Sequence, residues 1–174
     1  MSPQAAISAT TVAAVLLMML AEMQLSRYNE RTLRANGAVE PPDDVYRTMA
    51  WVYPLLFVVM ALEGAWWGPA PGATTLMGGL LLGLSKGLKF WAIASLGSRW
   101  TFRVLVPPGA PLVTSGPYGF LRHPNYVAVM GELASMALIV GARVTGPVAM
   151  LLFGVLIRHR IRVEEAALRH PPCT

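Results

Sequence analysis

AAISATTVAAVLLMMLAEMQL, residues 5–25, decides the fold class. The run carries one charged side chain, Glu22. A helix needs about 20 apolar residues to cross a hydrocarbon core of about 30 Å, and this stretch supplies them. No basic segment precedes it, and it is longer than the apolar core of a signal peptide, so it reads as a retained transmembrane helix. Further apolar runs follow at about 47–67, 76–96, 125–141 and 145–158. The last two are short for a full crossing, which fits a small tilt or a locally thin layer.

Composition agrees. The chain of 174 residues is 55% hydrophobic and 13% charged, against about 25% charged in a soluble domain, and the charges are clustered between the runs. Residues 1–174 read as one domain, since no second composition regime appears. The net charge of +5 would raise nucleic-acid binding in a soluble protein. Here the basic residues flank apolar runs, which points to the membrane surface and away from nucleic acid. The single cysteine, Cys173, permits no internal disulfide and no cysteine-based metal site.

The connections sort by charge. Segment 26–46 holds Arg27, Arg31 and Arg34; segment 97–124 holds Arg99, Arg103 and Arg122; the tail holds Arg158, Arg160, Arg162 and Arg169. With five spans these three lie on one side, and the other side has residues 1–4, 68–75 and the turn near Arg143. The excess of positive charge therefore predicts an outer N-terminus and a cytoplasmic C-terminus. Trp66 and Trp67 close the second run as interfacial aromatics, Pro69, Pro71 and Gly72 make a turn, and Gly146-Pro147 opens the fifth run. Segment 97–124 is the longest connection and is rich in Pro and Gly over 107–124, as expected of an irregular functional loop.

Charged groups inside spans need a reason. Glu22 and Glu63, near span ends, are expected to reach water, and Lys86 and Lys89 to snorkel to the interface. Glu132 lies about two turns, or about 11 Å, into the fourth run, so it must be paired or line a cavity. Beyond 158 the fifth run continues as a charged helix to 168. Arg158, Arg162 and Glu165 share one face, and Arg160 and Glu164 are four apart, spacings that suit surface ion pairs. His159 and His170 read as exposed.

The loop leads into the fourth run through Gly116-Pro-Tyr-Gly-Phe-Leu-Arg-His-Pro-Asn-Tyr126, and about 40 residues later comes Glu164-Glu165. This ordered set resembles the isoprenylcysteine carboxyl methyltransferase family, over roughly residues 90–168. The resemblance implies an all-α integral membrane protein with about five transmembrane helices and a cytoplasmic cofactor pocket. It also implies S-adenosylmethionine as cofactor, with no metal. By carry-over, Tyr118, His123, Tyr126, Glu164 and Glu165 contact the cofactor, Gly116, Pro117 and Leu121 offer backbone groups, and Pro124 shapes the turn. Arg122 suits the cofactor carboxylate, for which a planar guanidinium fork is well matched. The tyrosine faces suit a sulfonium.

The implied acceptor is a lipophilic molecule entering from the bilayer. Lys89-Phe-Trp-Ala92, Gly97-Ser-Arg-Trp-Thr-Phe-Arg-Val104, Asn125, Glu132, Arg27-Tyr-Asn-Glu-Arg31 and Gly37-Ala-Val-Glu40 resemble bacterial members that methylate lipidic polyketides such as alkylpyrones and alkylresorcinols. A phenol, with a pKa near 10, benefits from a base, and Glu132, or else His123, is the candidate. Trp100, Arg103 and Arg162 are expected to fix the acceptor head. Carboxyl methylation of a prenylated cysteine, N-methylation of a phospholipid, and a non-enzymatic membrane scaffold are the alternatives. The chain stops six residues after Leu168, where longer members continue with another helix, so the expected pocket is more open or is covered by another chain.

Overall fold

The computed structural model describes residues 3–42, 44–68, 70–109 and 111–169; His170, Cys173 and Pro69 lie outside the described residues. Among the described residues five helices follow one another: α1 (Pro3–Ala35), α2 (Tyr46–Trp67), α3 (Gly72–Leu96), α4 (Pro124–Val140) and α5 (Thr145–Arg169). Short 3-10 turns at Gly97–Arg99 and Gly116–Gly119 punctuate the long α3–α4 loop. The described residues are all-α, and an isolated antiparallel bridge, Val39 to Val106, joins the two long connections. By length and composition α1, α2 and α3 are each able to cross a membrane, while α4 is a shorter apolar helix. Five crossings were expected. α5 has the length, but its C-terminal half is charged.

The helix bounds match the apolar runs closely except in α1. That helix does not stop near residue 25 but continues to Ala35. Residues 26–35 are polar, which makes them resemble a connection, yet they contain no Gly or Pro to break the helix. It ends where Gly37 takes a φ of +80° and the Ala38 amide reaches back to the Leu33 carbonyl at 2.9 Å, a Schellman closure.

Close helix approach explains the packing of α3 on α4. A Cβ on Gly78 would lie 2.8 Å from the Ser135 carbonyl oxygen, and one on Gly131 would lie 2.2 Å from Ser85 Oγ. Small residues allow such approach in membranes, where dispersion and hydrogen bonds drive helix association. Gly64 does the same for α2 against α4, at 2.2 Å from the Val140 carbonyl oxygen. Phe57, Met60, Leu133, Met136 and Phe153 fill the core between α2, α4 and α5.

Glu63 stays partly exposed, as expected near a span end, and it also ties α2 to the start of α5. Its carboxylate accepts from the amides of Val144 at 2.9 Å and Thr145 at 2.7 Å, and from the Thr145 hydroxyl. It thereby satisfies amides at the start of α5 that have no partner within the helix.

Glu22, Lys86 and Lys89 depart from expectation. All three are buried, and with Glu132 they form a closed quartet. Lys86 Nζ lies 3.1 Å from both Glu22 Oε1 and Glu132 Oε2; Lys89 Nζ lies 2.6 Å from Glu22 Oε2 and 3.2 Å from Glu132 Oε1. The Tyr53 hydroxyl donates to Glu132 Oε2 at 2.8 Å. Two ammonium and two carboxylate groups from α1, α3 and α4 therefore neutralise one another, with α2 contributing Tyr53. The lysines meet these carboxylates before they meet an interface.

Candidate functional site

At one end of the bundle the α1–α2 connection, the α3–α4 loop, the start of α4 and the end of α5 converge. Pro124, in the first turn of α4, needs no amide partner and has a fixed φ suited to a helix start. It places His123 just before the helix and Tyr126 in its first turn. Their rings stack at 5.5 Å between centroids. Across from them, α5 presents Glu164 and Glu165. The Tyr126 hydroxyl donates to Glu164 Oε2 at 2.7 Å; His123 Nδ1 lies 3.7 Å from Glu164 Oε2, and its Nε2 lies 3.5 Å from Glu165 Oε1. Both carboxylates remain about one-third exposed, so they are open to a ligand as well as to their partners.

Gly116 has a φ of +59°, and a Cβ there would sit 2.1 Å from Ser95 Oγ and 3.0 Å from Trp91 Nε1. The Gly-Pro-Tyr turn is thus pressed against the end of α3, with Pro117 buried. Tyr118 and Leu121 are partly buried. Burial, and then the Glu164 carboxylate, push the Tyr118 phenol above its ordinary value, so it remains a hydroxyl donor. Arg122 is largely exposed, and its guanidinium lies 4.0 Å from Glu165 Oε1. Asn125 Oδ1 is buried with no hydrogen-bond partner among the described residues.

The four residues expected at the acceptor do not share one place. Glu132 has no exposed surface and both its oxygens face the lysines. Trp100 is buried against Phe102, with ring centroids 5.2 Å apart. Arg103 lies over the Tyr46 ring and pairs with Glu40 at 2.5 Å and Glu30 at 3.4 Å. Arg162 is exposed on α5.

Several residues escaped the sequence reading. Arg160, not Arg162, turns inward. It does not pair with Glu164 but donates to Tyr126 Oη and Asp44 Oδ1, each at 2.9 Å, and to the Phe102 carbonyl. The polar extension of α1 clasps the long loop: Asn29 Nδ2 donates to the Trp100 carbonyl at 2.8 Å, and the Phe102 amide donates to Ser26 Oγ at 2.8 Å. Arg160 had a usable signal, since it falls three residues after Ile157 on the buried face of α5.

Apolar helices with a polar site of this kind at one end define an integral membrane methyltransferase once the sequence comparisons are added. The profile of the isoprenylcysteine carboxyl methyltransferase family matches residues 78–170, which takes in α3, the long loop, α4 and α5. The chain belongs to that family. It is 31% identical over 158 residues to the uncharacterized protein YpbQ of Bacillus subtilis (strain 168), covering 91% of this chain and 94% of the relative. A protein of Haemophilus influenzae (strain Rd) is 23% identical over 161 residues, covering 92% and 94% respectively.

Proposed function

We propose that this protein is an S-adenosylmethionine-dependent O-methyltransferase that crosses the membrane five times, with its N-terminus outside and its site at the cytoplasmic face. The carrying observation is the meeting of Tyr126 and His123 with Glu164 and Glu165. The residues suit the donor. Two half-open carboxylates match ribose hydroxyls and an ammonium, a stacked aromatic pair offers faces to a sulfonium, and exposed Arg122 matches a carboxylate. The buried, unpartnered Asn125 carbonyl offers one more acceptor.

When bound, the donor supplies an electrophilic methyl: an acceptor oxygen lone pair forms the C–O bond, the C–S pair returns to sulfur to leave a thioether, and a hydroxyl acceptor releases its proton. The chain's own contribution is positioning, which accounts for a large share of the gain when two reactants must be aligned. Glu132 is engaged by two lysines and Tyr53, so the proton is assigned to water at the mouth rather than to Glu132.

The acceptor proposed is a lipid-tailed ring hydroxyl of the alkylpyrone or alkylresorcinol type, reached from the bilayer. Support comes from the apolar helices beside the site and from the sequence resemblance over residues 89–104. The test is a panel of acceptors incubated with methyl-labelled donor and purified full-length protein. Label in an aryl or enol ether supports the proposal. Label in a prenylcysteine ester moves it to carboxylates, and label in a methylated phosphatidylethanolamine moves it to nitrogen.

A further inference from the structure

Arg160 ties three segments together at this end of the molecule and is 5% exposed. Its three donor nitrogens face three different segments: Nε to Tyr126 Oη on α4, Nη1 to Asp44 Oδ1 in the α1–α2 connection, and Nη2 to the Phe102 carbonyl in the long loop. Asp44 is itself fully engaged. Its side chain is 2% exposed, Oδ2 accepts from the Val104 amide at 2.9 Å, and Oδ1 also accepts from the Tyr46 amide at 3.0 Å. Tyr126, with its oxygen receiving the Arg160 proton, directs its own proton to Glu164. The direction of each hydrogen bond follows from the one before it, because a guanidinium only donates and a carboxylate only accepts.

We propose that Arg160 is a positioning residue that transmits the docking of Asp44 and of loop residues 102–104 to the Tyr126 hydroxyl and the Glu164 carboxylate. This deepens the donor-site reading and rests on it for its effect on binding. The latch explains why Glu164, four residues from Arg160 on one helix, stays available: the guanidinium is engaged elsewhere. It also gives the α1–α2 connection, outside the stretch matched by the family profile, a part in the site. Asp44 and Tyr126 share Arg160 as partner, so any coupling between them runs through it.

The experiment is a double-mutant cycle on full-length protein in lipid nanodiscs. Asp44→Asn, Tyr126→Phe and the double variant are compared with wild type for S-adenosylhomocysteine affinity. Asp44→Asn is expected to weaken binding on the order of tenfold, and the double variant to be no weaker than the worse single one. Effects that multiply would overturn the latch, as would an Asp44→Asn affinity equal to wild type. Hydrogen exchange without ligand gives a second reading: amides 102–106 are expected to exchange faster in Asp44→Asn and in Arg160→Lys, which keeps the charge but loses the planar fork. Unchanged exchange in both variants overturns the latch. A wild type that binds no S-adenosylhomocysteine sinks the donor-site reading, while the exchange measurement still decides whether the latch exists. If Asp44→Asn loses its helical circular dichroism, Arg160→Lys replaces it in the cycle.

Discussion

Two groups of charged side chains, one between α1, α3 and α4 and one between the start of α4 and α5, differ in one physical respect. In the quartet of Glu22, Lys86, Lys89 and Glu132, every charge faces an opposite one and none reaches the surface beyond a few percent. At the end of the bundle Glu164 and Glu165 have partners, His123 and Tyr126, that leave about a third of each carboxylate open. Burial alone therefore does not mark a binding site. A saturated cluster is a helix-to-helix contact; an unsaturated cluster at a mouth has acceptor capacity left over, which is what the proposed ligand site requires.

The contrast is sharpest in what it costs to break each group. Glu132→Gln leaves two buried ammonium groups sharing one carboxylate and is expected to destabilise the fold by about 3–5 kcal/mol. Thermal or detergent-induced unfolding checks this, and a variant as stable as wild type would mean that the quartet is not closed. Replacing Glu22 and Lys89 together by Leu and Met removes charge in balance, so it should cost less than either replacement alone.

Glu164→Gln should behave in the opposite way. Its side chain is about one-third exposed, so stability is expected to change by about 1 kcal/mol or less, while donor affinity falls on the order of tenfold or more. A large loss of stability with unchanged affinity would move Glu164 into the structural group. Gly116→Ala lies between the two cases. The left-handed backbone costs about 1–2 kcal/mol for a residue with a Cβ, and that atom would collide with Ser95. The expected readout is a weaker donor site with helical content intact.

The smallest effect is expected from pH. Partial burial raises the Glu40 carboxyl, but hydrogen bonds and charge from Arg103 and Arg34 outweigh it and hold the group below its ordinary value. A lowered carboxyl stabilises the fold above the usual range near about 4 and loses that contribution as pH falls through its own lower value. Protection of the Val39 and Val106 amides, that is, their exchange relative to the intrinsic rate of a free amide at each pH, should therefore stay constant through neutral pH and fall only in acid. Loss of protection as pH drops from 7 to 5 would contradict this assignment.

The residues of the candidate site that the structure brings together were legible in sequence where they are local. Gly116-Pro-Tyr118 and Arg122-His123-Pro124 sit in one loop and helix start, and Glu164-Glu165 stands out as a pair of acids after an apolar run. The quartet was not legible, because Glu22, Lys86, Lys89 and Glu132 meet only through packing of three helices; read singly, each lysine suggests snorkelling. The α1 extension was obscured because a polar helix and a polar connection have similar composition. The inward turn of Arg160 rather than Arg162 was missed because residues two positions apart on a helix are about 200° apart around its axis, and the apolar pattern that would set the face weakens after Ile157.

If the mouth between α4, α5 and the long loop holds the methyl donor, as proposed, equilibrium binding of labelled S-adenosylmethionine to purified, folded protein shows it without any acceptor. Saturable binding at one site per chain is expected, weakened by His123→Ala and by Glu165→Gln. A folded sample with no saturable binding, or one whose affinity ignores both substitutions, would contradict it.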